Sequence, residues 1–175
     1  MLKNRKAVIV IDMLVDFIYF LGNLYIGDEA AEVIFPIVDL VETERAAGSQ
    51  IIHLCDRHRR EDAEFDMFPS HCVEGAKGAV IVSELTPHED DIVIPKRRYS
   101  GFAGTDLDIT LRELEIDELV LVGVCTNICV LYTAADARNL HYKVSVPRNC
   151  VASFDAEAHA WALKEMERTL GVNVY

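Results

Sequence analysis

The chain alternates short apolar, β-branched runs with segments of helical spacing, and this alternation limits what it can fold into more than any other feature. The run KAVIVI at 6–11 reads as a strand buried on both faces, as in the middle of a parallel sheet. Residues 32–47 place Val33, Ile34, Ile37, Val38 and Val41 at helical spacing and end near Gly48. Further strands are expected at 49–54, 91–95, 119–123 and 143–146, with a short final one at 172–175. Helices are expected at 106–114, 131–139 and 155–170, the last stopped by Gly171. For the first of these, Thr105 is the expected N-cap and Asp108 the capping-box acid. The polar stretch 56–66 shows no period. Strands and helices joined in this rhythm predict a three-layer α/β/α domain with a mainly parallel, Rossmann-like sheet, one domain spanning 1–175. The functional site of such a sheet lies at the C-terminal ends of its strands.

Composition narrows the function classes. With 51% apolar and 26% charged residues, the 175-residue chain is expected to be globular. No stretch approaches the roughly 18 apolar residues of a membrane span. Residues 1–6 are expected to lead directly into the first strand. The apolar segment that follows is broken by Asp12 and Asp16, so it is not read as a signal peptide, and a cytoplasmic location is expected. A net charge of −12 argues against a nucleic-acid partner. Lys96-Arg97-Arg98 is the main basic cluster, too small by itself to follow a phosphate backbone. Five cysteines cannot all pair within one chain, and reduced thiols are expected. No GxGxxG or Walker spacing occurs, so no nucleotide cofactor is expected.

The strand ends carry the chemistry. The strand at 119–123 breaks into Gly123-Val124-Cys125-Thr126-Asn127-Ile128-Cys129-Val130 just before a helix. A thiol there can be favoured as thiolate and can attack a carbonyl beside backbone N–H groups. It can equally be a small buried hydrophobe. The first strand runs into Asp12 and the third into Lys96, and a parallel sheet brings all three ends to one edge. A carboxylate can take the thiol's proton and an ammonium can stabilise the charges, whereas a capping Asp12 and a solvated Lys96 are the plain alternatives. The second strand ends on Asp56 and His58, followed by Glu64 and His71. Two imidazoles with two carboxylates suit zinc, iron or manganese better than magnesium or calcium. Arg57, Arg59, Arg60, Glu61 and Asp62 read as a solvated, self-paired face. His53 reads as a core histidine, and His88, His141 and His159 as structural. Phe17, Phe68, Tyr99 and Phe102 are core residues or the walls of a pocket for a flat ring.

Three ordered segments carry a family resemblance: Val10-Ile11-Asp12-Met13-Leu14-Val15-Asp16-Phe17, the stretch from Lys96 to Leu107, and the turn from Gly123 to Val130. With Val151-Ala152-Ser153-Phe154 and His159-Ala160-Trp161, the chain resembles the isochorismatase-like cysteine hydrolases over essentially its whole length, most of all the nicotinamidases. The resemblance implies Cys129 as nucleophile, Asp12 as general base and Lys96 as supporting cation. It implies a cis peptide at Val124–Cys125 and an oxyanion hole from the N–H groups of Cys125 and Cys129. It also implies a metal at Asp56, His58, Glu64 and His71 that binds a pyridine nitrogen. Many nicotinamidases have Asp-Trp-His where this chain has Asp56-Arg57-His58, which predicts a changed pocket wall. Asn127 stands where an acid is common.

The expected activity is therefore cleavage of a small carboxamide through a thioester, with nicotinamide going to nicotinate and ammonia, a step of NAD salvage. Phe17, Phe68 and Tyr99 are the expected ring contacts. A divalent metal, zinc before iron or manganese, is the expected cofactor, and a homodimer or tetramer is what the family suggests. An N-carbamoylsarcosine amidase-like hydrolase keeps the triad without needing the metal. Isochorismatase chemistry does not need the thiol. A non-catalytic binding module is disfavoured by the intact set of Asp12, Lys96 and Cys129.

Overall fold

The computed structural model describes residues 5–175; residues 1–4, expected to lead into the first strand, lie outside the described residues. Its strands are β1 (Lys6–Ile11), β2 (Gln50–Asp56), β3 (Ile92–Lys96), β4 (Glu118–Val124), β5 (Lys143–Val146), β6 (Val151–Ala152) and β7 (Asn173–Val174). They form one sheet in the order β3-β2-β1-β4-β5-β7, with β6 also paired to β4. Every pairing between these strands is parallel. The main helices are α1 (Val15–Ile18), α2 (Glu29–Glu32), α3 (Ile34–Ala46), α4 (Leu107–Glu113), α5 (Leu131–Asn139) and α6 (Ala156–Arg168).

Strand pleating divides the core into two layers. Ala7, Ile9, Ile11, Ile52, Leu54, Leu119 and Leu121 pack with Leu107 and Leu111 of α4, Ala134 of α5 and Leu163 of α6. Val8, Val10, Ile51, Val120 and Val122 point the other way, to Ile37 and Val41 of α3. Successive side chains alternate between the faces of a strand, so a run apolar at every position is what a sheet covered on both faces needs. Each such buried Ile or Leu contributes about 1.5–3 kcal/mol.

The chain builds β1, β2 and β3 outward in one direction and then returns to lay β4 against the free edge of β1. That reversal opens a crevice beyond the C-terminal ends of β1 and β4. Gly123 makes the closeness there achievable: at φ +111°, an added Cβ would lie 2.0 Å from the Ile11 carbonyl oxygen. Only glycine combines that backbone conformation with that approach.

The structure departs from the sequence expectations locally. Residues 29–47 are broken into α2 and α3 at Val33. The single turn of α1 and the two-residue β6 are too short to leave a periodic signal. Thr105 does accept the Leu107 N–H, at 3.2 Å, but Asp108 is no capping-box acid. Instead it accepts from Arg112 at 2.9 Å and from the Tyr142 hydroxyl at 2.8 Å. Among the described residues, no helix is long and apolar enough to cross a membrane. All five cysteines are buried and free.

Candidate active site

Four strand ends converge on the crevice. Asp12 leaves β1 at φ +54°, a left-handed conformation that Asp tolerates better than most residues. The turn is held on both sides: the Asp12 N–H donates to the Leu54 carbonyl at 2.9 Å, and Asp12 Oδ1 accepts the Asp56 N–H at 2.8 Å. Lys96, the last residue of β3, is paired in register with Asp56, the last of β2. Beyond β4 the Val124–Cys125 peptide is cis, as the resemblance implies. Thr126–Val130 then form a π-helical turn that runs straight into α5. Thr126 is fully buried and shares a 2.8 Å hydrogen bond with His159 Nδ1 of α6, which anchors the turn. No spacing marks His159 for that task.

Lys96 is the largest fully buried side chain among the described residues. Its ammonium lies 2.8 Å from Asp12 Oδ2, 2.6 Å from Asp56 Oδ1 and 3.4 Å from Cys129 Sγ. Asp12, Asp56 and Cys129 present atoms within 4.8 Å of one another. Burial works against the ammonium, but the two carboxylates outweigh it and hold Lys96 above its ordinary range. Burial, then the charge of Asp56, raises Asp12 to about 6 against the pull of Lys96. Burial also pushes the Cys129 thiol well up, and Asp12 adds to it, although Lys96 opposes both. Burial thus favours the thiol, against the thiolate that a strand-to-helix turn favours. Burial raises the Cys125 thiol to about 12, leaving it inert as a side chain.

A narrow slot opens from this cluster. It is lined by Phe17, Phe68 and Tyr99, as expected, and also by Leu24, Ile26, Ile128 and Phe154. Phe102 does not line it and stacks on Tyr142 with ring centroids 5.9 Å apart. Arg57 is likewise absent from the slot lining. Among the described residues lining the slot there is no Lys or Arg.

At one wall of the slot, Asp56, His58, Glu64 and His71 are all buried and present ligand atoms within 4.8 Å of one another. His58 Nε2 is 3.5 Å from Asp56 Oδ2 and 3.9 Å from Glu64 Oε1; His71 Nε2 is 3.9 and 3.8 Å from the same two atoms. A tetrahedral ion with bonds of about 2.1 Å has ligand–ligand edges of about 3.4 Å, so a small contraction closes the set. Neither ring nitrogen of the buried His58 has a hydrogen-bond partner among the described residues, and a metal would satisfy Nε2. His71 Nδ1 sits 2.7 Å from the Pro69 carbonyl, which takes its N–H and leaves Nε2 as the free lone pair. Burial, then repulsion from Asp56, raises Glu64.

Asp62 is not part of a solvated face. It is buried, its Oδ2 lies 3.2 Å from His58 Nδ1, and Arg98 reaches its Oδ1 at 3.0 Å. Burial opposes its charge, but the Glu64 N–H and His58 hold it down at about 2. A carboxylate on Nδ1 fixes the tautomer that offers Nε2 to a metal. Asp16 braces the same loop: its Oδ2 accepts the Cys72 N–H at 2.7 Å and its Oδ1 the Asn23 N–H at 2.9 Å. His53 is buried in β2, with Nε2 3.5 Å from Asp91 Oδ2, and takes no part in the site.

The overall fold recurs in known proteins. The nicotinamidase PncA of Bacillus subtilis superposes with a TM-score of 0.92 at 37% identity, covering 97% of this chain and 98% of that one. The pyrazinamidase of Pyrococcus horikoshii, solved in complex with zinc, gives 0.92 at 30% identity, covering 98% of each chain. N-carbamoylsarcosine amidase of Thermoplasma acidophilum gives 0.88 at 33% identity, covering 97% of this chain and 95% of that one. Residues 6–174 match the isochorismatase domain, and the chain belongs to the isochorismatase family of hydrolases.

Proposed function

We propose that the protein is a cysteine amidase that cleaves a small, planar carboxamide through a thioester on Cys129, with nicotinamide as its substrate. The observation that carries the reading is the Asp12–Lys96–Cys129 cluster opening into an apolar slot with a metal-competent wall. The absence of Lys and Arg from the slot lining favours an uncharged substrate. N-carbamoylsarcosine carries one carboxylate and isochorismate two, and a lining that is mostly apolar offers such groups less than it offers a flat, neutral ring.

In the proposed reaction the Cys129 proton passes to the Asp12 carboxylate as sulfur bonds to the amide carbon. The carbonyl π pair moves to oxygen, where the N–H groups of Cys125 and Cys129 receive it. The raised Asp12 suits both halves of this exchange, because a carboxylate near 6 takes a proton and returns it at neutral pH. Asp12 then protonates the amide nitrogen, the C–N bond breaks, and ammonia leaves. Water next loses a proton to Asp12 and its oxygen attacks the thioester carbon; sulfur departs and recovers that proton. Lys96 stays protonated throughout and offsets the charge on the Asp12–Cys129 pair. Asp56, His58, Glu64 and His71 would hold a divalent ion, with zinc the natural choice for two imidazoles and two carboxylates. When bound, such an ion supplies a Lewis-acid contact for the pyridine nitrogen and so orients the ring. Phe17, Phe68 and Tyr99 flank that ring.

Ammonia release from nicotinamide and N-carbamoylsarcosine by purified protein tests the substrate class. The reading expects nicotinamide to be turned over with a kcat/KM at least 100-fold higher. The reverse order would transfer the assignment to the carbamoyl amides.

A further inference from the structure

The chain beyond β2 and β3 builds a second concavity, opposite in character to the slot. Because Asp56 and Lys96 are register partners, the residues that follow them run side by side, and the Arg57 N–H donates to the Lys96 carbonyl at 2.8 Å. Asp56 and Lys96 turn into the active site. Arg57, Arg59, Arg97 and Arg98 line a separate cavity of about 320 Å³, which Lys96 also borders and in which Glu74 is the one acid among the described lining residues. Pocket sites for small ligands begin at about 300 Å³. No residue lines both this cavity and the slot.

Such a cluster is unexpected in a chain whose 29 acidic residues outnumber its 17 basic ones. Among the described residues, Arg57, Arg59 and Arg97 have no side-chain hydrogen-bond or ion-pair partner, while Arg98 reaches Asp62 and the Arg97 carbonyl. Four guanidinium groups lining one cavity give it a positive potential that favours a multivalent anion. A planar carboxylate engages one guanidinium fork, whereas the tetrahedral oxygens of linked phosphates accept from several forks in different planes.

We propose that this cavity binds a small oligophosphate anion, of the size and charge of pyrophosphate. The site stands on the cavity's geometry and is independent of the amidase reading.

Calorimetric titration of the full chain with pyrophosphate at 0.15 M salt tests it. The expected result is saturable one-to-one binding whose Kd rises at least tenfold in Arg57→Gln/Arg97→Gln, with the unliganded melting temperature unchanged. Citrate, of similar charge but built on carboxylates, is expected to bind at least tenfold more weakly. Pyrophosphate also chelates divalent metals, but that heat does not depend on the arginines, so the variant separates the two. Should the double variant lose its melting transition, the exposed Arg59→Gln repeats the comparison. No saturable heat, a Kd indifferent to the arginines, or equal binding of citrate would overturn the assignment. Self-association abolished by the variant, without pyrophosphate binding, would overturn it in favour of an acidic protein surface.

Discussion

Lys96 Nζ and Asp56 Oδ1 meet at 2.6 Å, and that contact joins the two halves of the site. The same ammonium is 2.8 Å from Asp12 and 3.4 Å from Cys129, while the other Asp56 oxygen faces His58 and His71. One buried cation thus separates the carboxylate proposed as base from the carboxylate proposed as metal ligand. Without it, two buried carboxylates would face each other across the crevice.

Lys96→Met is therefore expected to act on both fold and function. Removing one partner from a buried charge cluster typically costs about 3–5 kcal/mol. Urea unfolding should show a loss of that order, and amide turnover should fall at least 1,000-fold. A variant with near-normal stability and turnover within tenfold of the parent would mean that Lys96 is dispensable.

Asp62→Asn is expected to weaken metal binding by about 10- to 100-fold, the usual effect of losing the hydrogen-bond partner of a ligating histidine. Competition with a chromophoric chelator reads this directly. Asp62 does not line the slot, so kcat at saturating metal should change much less than affinity. Unaltered metal affinity would remove Asp62 from the site.

Asp12 sets the acid limb of the rate profile. The proposed base must be ionised, and burial with the neighbouring Asp56 raises it to about 6. Activity is expected to fall as pH drops through about 6, tenfold per unit below it. A kcat/KM flat from pH 7 to pH 4.5 would show that no group with this shift is required.

Asp91 is shifted the other way, and its effect is on stability. Burial opposes its charge, but Arg45 and the His88 N–H hold its folded-state carboxyl below 3.8. Its stabilisation is complete above the unfolded value and is lost as pH falls through the lower folded one. Asp91→Asn should be less stable than the parent near pH 7, by about 1–3 kcal/mol, with the gap closing below pH 3.8. A gap that persists undiminished at low pH would assign it to packing.

Much of the fold and the reactive cluster was legible because both follow from local pattern. Apolar runs such as KAVIVI need burial on both faces, and parallel strands put their C-terminal ends at one edge, which is why Asp12, Lys96 and Cys129 meet. The β2 and β3 ends were legible only in part. Arg57 and Asp62 read as a solvated surface, yet one lines a cation-rich cavity and the other is buried beside His58. That difference depends on which way each side chain leaves an irregular loop, and no period records it. Leu24, Ile26 and Phe154 entered the slot from segments whose placement depends on packing. The environment of Cys129 was hidden for another reason: burial, with Asp12 and Asp56, pushes its thiol up against the pull of Lys96, and only assembled neighbours reveal that balance.

The central claim is an acyl group carried on Cys129, and hydroxylamine partitioning tests it most directly. During turnover of nicotinamide, hydroxylamine should intercept the thioester and divert product from nicotinate to the hydroxamate. The hydroxamate fraction should rise with hydroxylamine concentration, and Cys129→Ala should form neither product. Ammonia release that continues in Cys129→Ala, with no hydroxamate at any hydroxylamine concentration, would contradict the account.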